Sequence, residues 1–287
     1  MIKRVIYIFL ALQIASFAVW QGVNAWGNTK SIDASTTNSA VVIEHESAKD
    51  IKIANSTDQS VDSNIISNVR FVAKSENEQL KPLNSAKKDE IMSVIKKLPA
   101  NHLATLKNLV LDYNSTAHRG LGGKELIILR AVNIGKEEFF AVMIHEIGHN
   151  VDLGYLGEAN QNEKSNFTDN GKPVYKTDPS LNFYKISWDD DQTRKKDAGN
   201  LDFVSGYAVT DPFEDFAESY IYYVLHNKDF KSKTQTSAKL LQKYNFMKNK
   251  VFNGKEFDTG NYLSDKLNNR PWDITLLSYN LNSFLAI

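Results

Sequence analysis

The stretch Ala141–Gly154, AVMIHEIGHNVDLG, sets His145 and His149 four apart around Glu146, inside a run that is otherwise almost wholly apolar. Extended backwards to KEEFFAVMIHEIGHNVDLG, it leaves hardly any polar face except at those three residues. A helix that is apolar nearly all round is an interior helix. Burying polar groups without partners is costly, so the three side chains call for a shared use. Residues i and i+4 of a helix lie one above the other, so both imidazoles can aim a nitrogen at one point, where a metal ion can sit. With nitrogen ligands and no cysteine in the chain, Zn²⁺ is the first candidate. Glu146 is placed to take a proton from water at the metal as a general base, without being a ligand. Gly148 costs a helix interior about 1 kcal/mol relative to Ala and so marks a close approach by another element. The competing reading is a pair of core histidines satisfied by local hydrogen bonds.

Two histidines do not close a catalytic zinc site; a third protein ligand is needed, with the fourth position left to water. The continuation NVDLGYLGEAN lacks the third histidine of a metzincin-type motif. His102, His118 and His226 each stand alone and read better as ordinary core or surface histidines. The stretch SGYAVTDPFEDFAES, residues 205–219, offers Glu214 and Glu218 on one face of a second helix. One carboxylate could bind zinc while the other hydrogen-bonds a ligand histidine. Asp211-Pro212-Phe213-Glu214 also fits an N-cap, an N1 proline and a capping-box glutamate, which would leave Glu218 as the ligand. Asp152 could orient a ligand or cap the end of the first helix.

Outward from these motifs, helices and strands alternate. NVRFVAK reads as a strand. NSAKKDEIMSVIKKLP reads as a helix capped by Ser85, with Ile91, Val94, Ile95 and Leu98 inward and Pro99 as its stop. Leu109 to Tyr113 reads as a strand, STAHRGLGG as a glycine-bearing loop, and KELIILR as a further strand. Residues 152–205 form a long polar region with weak periodicity. A third helix follows in SAKLLQKYNFMKNKVF, and the apolar tail ITLLSYNLNSFLAI reads as core.

The chain of 287 residues carries 34 basic and 34 acidic side chains, so no global field draws it to nucleic acid. Met1-Ile2-Lys3-Arg4, the apolar run Val5–Trp20 and the small residues Val23 and Ala25 make residues 1–25 a secretory signal or an uncleaved anchor, the one segment expected to contact a membrane. Residues 26–68, rich in Ser, Thr, Asn and Asp, bury too little apolar surface to offset chain entropy and read as a disordered tether. Cysteine is absent, which excludes a disulfide framework, thiolate metal sites and a cysteine nucleophile.

HEIGH followed by Tyr207 and EDFAE resembles the catalytic domain of anthrax lethal factor and the secreted Pro-Pro endopeptidases. The resemblance covers about Leu98 to Tyr244 and is weak outside the motifs. It implies an α+β zincin-like metallopeptidase domain, residues 69–287, with an HExxH active-site helix and a small mixed sheet. It further implies that Glu214 is the third ligand, that Tyr207 donates a hydrogen bond to the developing oxyanion, and that Glu218 supports a histidine from behind. The strand before the HEIGH helix, KELIILR, would be the edge along which an extended peptide lies.

The segment between His149 and Glu214 is longer than the family pattern, so specificity does not carry over. Phe183, Tyr184 and Trp188 there could line a pocket or form a hydrophobic cluster. Asp189-Asp190-Asp191 does not fit a calcium loop, because Arg194 and Asn200 fall where Gly and Glu belong. The expectation is an exported, monomeric zinc peptidase acting on a peptide or protein. The rivals are a non-catalytic, zinc-containing surface module, with His118 the first residue to examine as a fourth ligand, and a zinc hydrolase of cell-wall amides.

Overall fold

Short aliphatic runs build the sheet. The computed structural model describes residues 65–74, 79–113, 118–130, 134–157, 162–260 and 270–287. The signal or anchor segment, and the tether as far as residue 64, lie outside the described residues. Within the span read as tether, Ile65 and Ile66 lie in a helical turn and pack against the core. All described residues fall in one compact unit, and no helix among them is long and apolar enough to cross a membrane.

The fold is α+β around a small mixed sheet. Strands β1 (Arg70–Lys74), β2 (Leu80–Pro82), β3 (Asn108–Asp112), β4 (Gly120–Gly122) and β5 (Leu126–Leu129) pair in the order β2-β1-β3-β5-β4. The three central strands are parallel and both edges antiparallel. KELIILR is therefore not the edge. β4 covers it, with Leu121 opposite Ile128, so among the described residues the edge on this side belongs to the glycine-rich stretch that reads as a loop in the sequence. Leu109, Leu111, Ile127 and Leu129 are fully buried, as suits internal strands.

Helix α1 (Ser85–Ile95) buries Ile91, Val94 and Ile95 as its spacing requires. Its cap is Asn84 rather than Ser85: the Asn84 carboxamide oxygen accepts from the Lys87 backbone N–H at 2.8 Å. The helix ends before Pro99, which instead opens a 3₁₀ turn over Ala100–Leu103. Helix α2 (Lys136–Asn150) carries HEIGH and runs on into a π turn, Val151–Tyr155.

The weakly periodic region after α2 is structured. It holds a hairpin, β6 (Lys164–Asp169) and β7 (Lys172–Tyr175), whose turn residues Asn170 and Gly171 take φ of 48° and 78°. Two positive φ values in a two-residue loop match the twist of the flanking strands. Helix α3 (Leu181–Ser187) follows. Phe183, Tyr184 and Trp188 do not line a pocket; they are core, packed edge-on against Phe216, Phe213 and Phe203 respectively. Asp190 shapes a turn by accepting the backbone N–H of Gln192 and Thr193, and Asp191 ties the loop to β6 by accepting that of Thr168.

Helix α4 (Pro212–Leu225) is followed by α5 (Asn227–Lys233), α6 (Ala238–Phe246) and α7 (Leu281–Ala286). The tail is core at Ile274, Leu281 and Phe284. Helices α2 and α4 cross closely at Gly148, where an added Cβ would stand 3.1 Å from Ala217 Cα and 3.2 Å from Tyr220 Cβ. The fully buried Lys243 ammonium lies 2.7 Å from an Asp215 oxygen and 2.9 Å from the Asp202 carbonyl, tying α4 to α6 and to the segment that leads to Tyr207.

Candidate metal centre

The close crossing at Gly148 brings two pairs of side chains together. Helix α2 presents His145 and His149, and α4 presents Glu214 and Glu218. Asp211 alone supplies the side-chain cap of α4, accepting from the backbone N–H of Phe213 and Glu214 at 2.9 and 2.8 Å, with Pro212 at the first helical position. The Glu214 carboxylate is thereby free of capping and turns to the histidines. Its Oε2 lies 3.2 Å from His145 Nε2 and 3.4 Å from His149 Nε2. The three ligand atoms sit within 4.8 Å of one another.

Glu218 stands behind this group. Its Oε1 accepts from His145 Nδ1 at 3.0 Å, and its Oε2 from the backbone N–H of Ile274 at 2.9 Å. With Nδ1 carrying the proton, the lone pair of neutral His145 is on Nε2, facing Glu214. Glu214 Oε2 is buried and makes no hydrogen bond. Lone pairs crowded on a buried carboxylate oxygen repel one another unless a cation or protons lie between them, so the donor set fits a divalent ion.

The protonation tendencies agree. Burial opposes charge on His145, but the Glu214 and Glu218 carboxylates outweigh it and hold its pKa well above the ordinary value. His149 is raised in the same way, burial being outweighed by Glu214. Burial opposes ionisation of Glu214, but the two imidazoles prevail and depress its pKa.

Glu146 is buried beside the group, and burial raises its pKa against the pull of His145 and His149. It is overlaid by β4. A Cβ on Gly120 would meet Glu146 Oε1 at 2.1 Å, and one on Gly122 would meet the Glu146 carbonyl oxygen at 2.6 Å. Alternate residues of a strand share a face, so RGLGG places two absent side chains over one carboxylate.

Tyr207 opens a short 3₁₀ turn, Tyr207–Val209, and its hydroxyl donates to Glu214 Oε1 at 3.1 Å. Its ring lies near-parallel to that of His145, with centroids 6.2 Å apart. Burial, reinforced by the Glu214 charge, raises its pKa, so it stays a donor.

The chain's last segment pins this turn. The Gly206 and Tyr207 N–H groups donate to the Pro271 and Trp272 carbonyls at 2.8 and 2.6 Å. Arg119, at the start of β4, pairs with Asp273 and, at 2.9 Å, with Glu138. The sequence reading missed Arg119, Gly120, Gly122, Asp273 and Ile274. The one available signal was the alternation of glycines in RGLGG.

The other histidines stand apart from this group. His118 is exposed, and His145, His149 and Glu214 form the metal-capable group among the described residues. His102 is buried: its Nε2 donates to the Val251 carbonyl at 2.8 Å, its Nδ1 accepts from Tyr220 at 2.8 Å, and burial lowers its pKa to about 4. His226 is likewise buried, with its pKa lowered to about 4. Asp152 accepts a 2.6 Å hydrogen bond from the Tyr184 hydroxyl, and burial raises its pKa to about 8. It anchors α3 rather than capping α2.

Comparison of the chain with protein-family models, with curated proteins and with solved structures returns no match.

Proposed function

We propose that the chain is a zinc-dependent endopeptidase of the glutamate-ligand zincin type, exported or tethered at the cell envelope and working as a monomer on peptide or protein substrates. The observation that carries this reading is the convergence of the unbonded Glu214 Oε2 on His145 Nε2 and His149 Nε2, with Glu146 buried alongside. His145, His149 and Glu214 hold the ion. Bound zinc supplies Lewis acidity, polarising the scissile carbonyl and making water easier to deprotonate.

The chain's own residues do the rest. Glu146 takes the proton from the attacking water and returns it to the leaving amine; a pKa raised by burial suits a group that must both accept and release it. The Tyr207 hydroxyl, at Glu214 in the resting site, donates to the oxyanion as it forms. Glu218 keeps His145 in the tautomer that offers Nε2. The free edge of β4, directly above Glu146, offers backbone groups to an extended substrate in the β-augmentation mode.

A non-catalytic module needs a closed site with a fourth protein ligand. The three-member group among the described residues favours the catalytic reading. The test compares wild type with Glu146→Gln on a diverse peptide library. Both proteins should carry one zinc, and only the wild type should cleave. Zinc-loaded wild type that cleaves nothing overturns the proposal.

A further inference from the structure

The large hydrophobic side chain most at odds with its surroundings near the centre is Trp272, 62% exposed. Three contacts fix its position. Its carbonyl accepts from Tyr207 N–H at 2.6 Å, and its ring lies against Gly206, where an added Cβ would meet Cε3 at 2.4 Å. The next residue, Asp273, pairs with Arg119 at the entrance to β4. Trp272 is therefore bracketed by the tyrosine of the centre on one side and by the start of the free sheet edge on the other, with one ring face seated on backbone and much of the ring left open to solvent.

We infer that Trp272 is a specificity-determining residue: its open ring receives a large aliphatic or aromatic side chain of a peptide lying along β4. This rests on the peptidase reading. The local charges select the occupant. Asp273 is paired with Arg119, which it shares with Glu138, and Arg270 lies two residues before Trp272 with its guanidinium donating to the Asn200 carbonyl at 2.7 Å. A substrate lysine or arginine would bring a hydrated charge against the ring and find Asp273 and Glu138 already engaged by Arg119, whereas an apolar side chain would cover the ring and remove both from water. The glycine at 206 serves the same end, since any side chain there would push the ring off its seat.

The test uses the full chain with zinc bound and peptides randomised at one position at a time. Wild type should show, at one position, a preference of about tenfold or more in kcat/KM for Leu or Phe over Gly and Lys. Trp272→Ala should erase the preference through a higher KM for the Leu and Phe peptides. Trp272→Phe should restore most of it, which separates a lost contact from a disturbed Tyr207 turn. Cleavage by Trp272→Ala with the wild-type preference intact overturns the inference and leaves the peptidase reading standing.

An arm independent of turnover uses the Glu146→Gln protein titrated with N-acetylphenylalanine amide and N-acetylglycine amide. The phenylalanine compound should shift tryptophan emission to the blue in Glu146→Gln but not in Glu146→Gln/Trp272→Phe. Absence of that difference overturns the inference even if wild type cleaves nothing.

Discussion

Replacing Gly120 by Ala should separate chemistry from stability. The added Cβ would fall 2.1 Å from Glu146 Oε1, 2.6 Å from Cδ and 2.7 Å from Cγ. All three belong to the outer part of one flexible side chain, so Glu146 can swing aside while β4 stays in place. An unfavourable Glu146 rotamer costs about 0.5–1.5 kcal/mol. The stiffer unfolded chain of the Ala variant offsets about 0.4–1 kcal/mol of that, because Gly120 does not hold a positive φ. Net stability should change by less than about 1 kcal/mol, whereas loss of a positioned general base lowers kcat by about 10²–10⁴.

Gly122→Ala should behave differently. Its Cβ would press on the Glu146 carbonyl oxygen at 2.6 Å and on His149 Cβ at 2.8 Å, neither of which can rotate away. The strand must lift, at about 1–3 kcal/mol. Urea midpoints, zinc content and cleavage rates of the two variants, taken together, form the assay. Gly120→Ala cleaving within about tenfold of wild type, below the range general-base loss should produce, would refute the placement of Glu146 under β4.

Two further outcomes follow from the same geometry. Glu218→Gln weakens the partner of His145 Nδ1 and should raise the zinc dissociation constant about 10–100-fold in competition with a chelating dye; an unchanged constant removes Glu218 from any role at the centre. His102 titrates near 6.5 when unfolded and at about 4 when folded, so between those values the unfolded chain binds the extra proton and stability falls as pH falls. Urea unfolding of wild type and His102→Gln should therefore show the wild-type advantage shrinking by about 3 kcal/mol from pH 7 to pH 4, and a constant gap would contradict the buried neutral imidazole.

What the sequence made legible was written in side-chain periodicity and caps. The apolar run around HEIGH reads as an interior helix and Asp211-Pro212 as the start of another, so the faces bearing His145, His149, Glu214 and Glu218 were readable from the sequence. The choice between Glu214 and Glu218 was not, because Glu214 also fits a capping box; it took the Asp211 cap and the Ile274 N–H to assign each carboxylate its neighbour. Sheet order was hidden because pairing is non-local, and β4 was hidden because Gly120 and Gly122 act by the side chains they lack. Phe183, Tyr184 and Trp188 read equally as pocket or core until their ring partners were known. The Pro271–Ile274 contacts are mostly backbone hydrogen bonds, which leave little trace in residue type.

Those last contacts also set a schedule. Residues as far apart in sequence as Arg119 and Ile274 brace the centre, so it joins chain segments separated by most of the fold, and such long-range closures come slowly. A polypeptide emerging N-terminus first from a ribosome carries both imidazoles and both α4 carboxylates well before the segment that braces them arrives. Any ion held by His145, His149 and Glu214 would accordingly be captured late, once the bracing segment has docked.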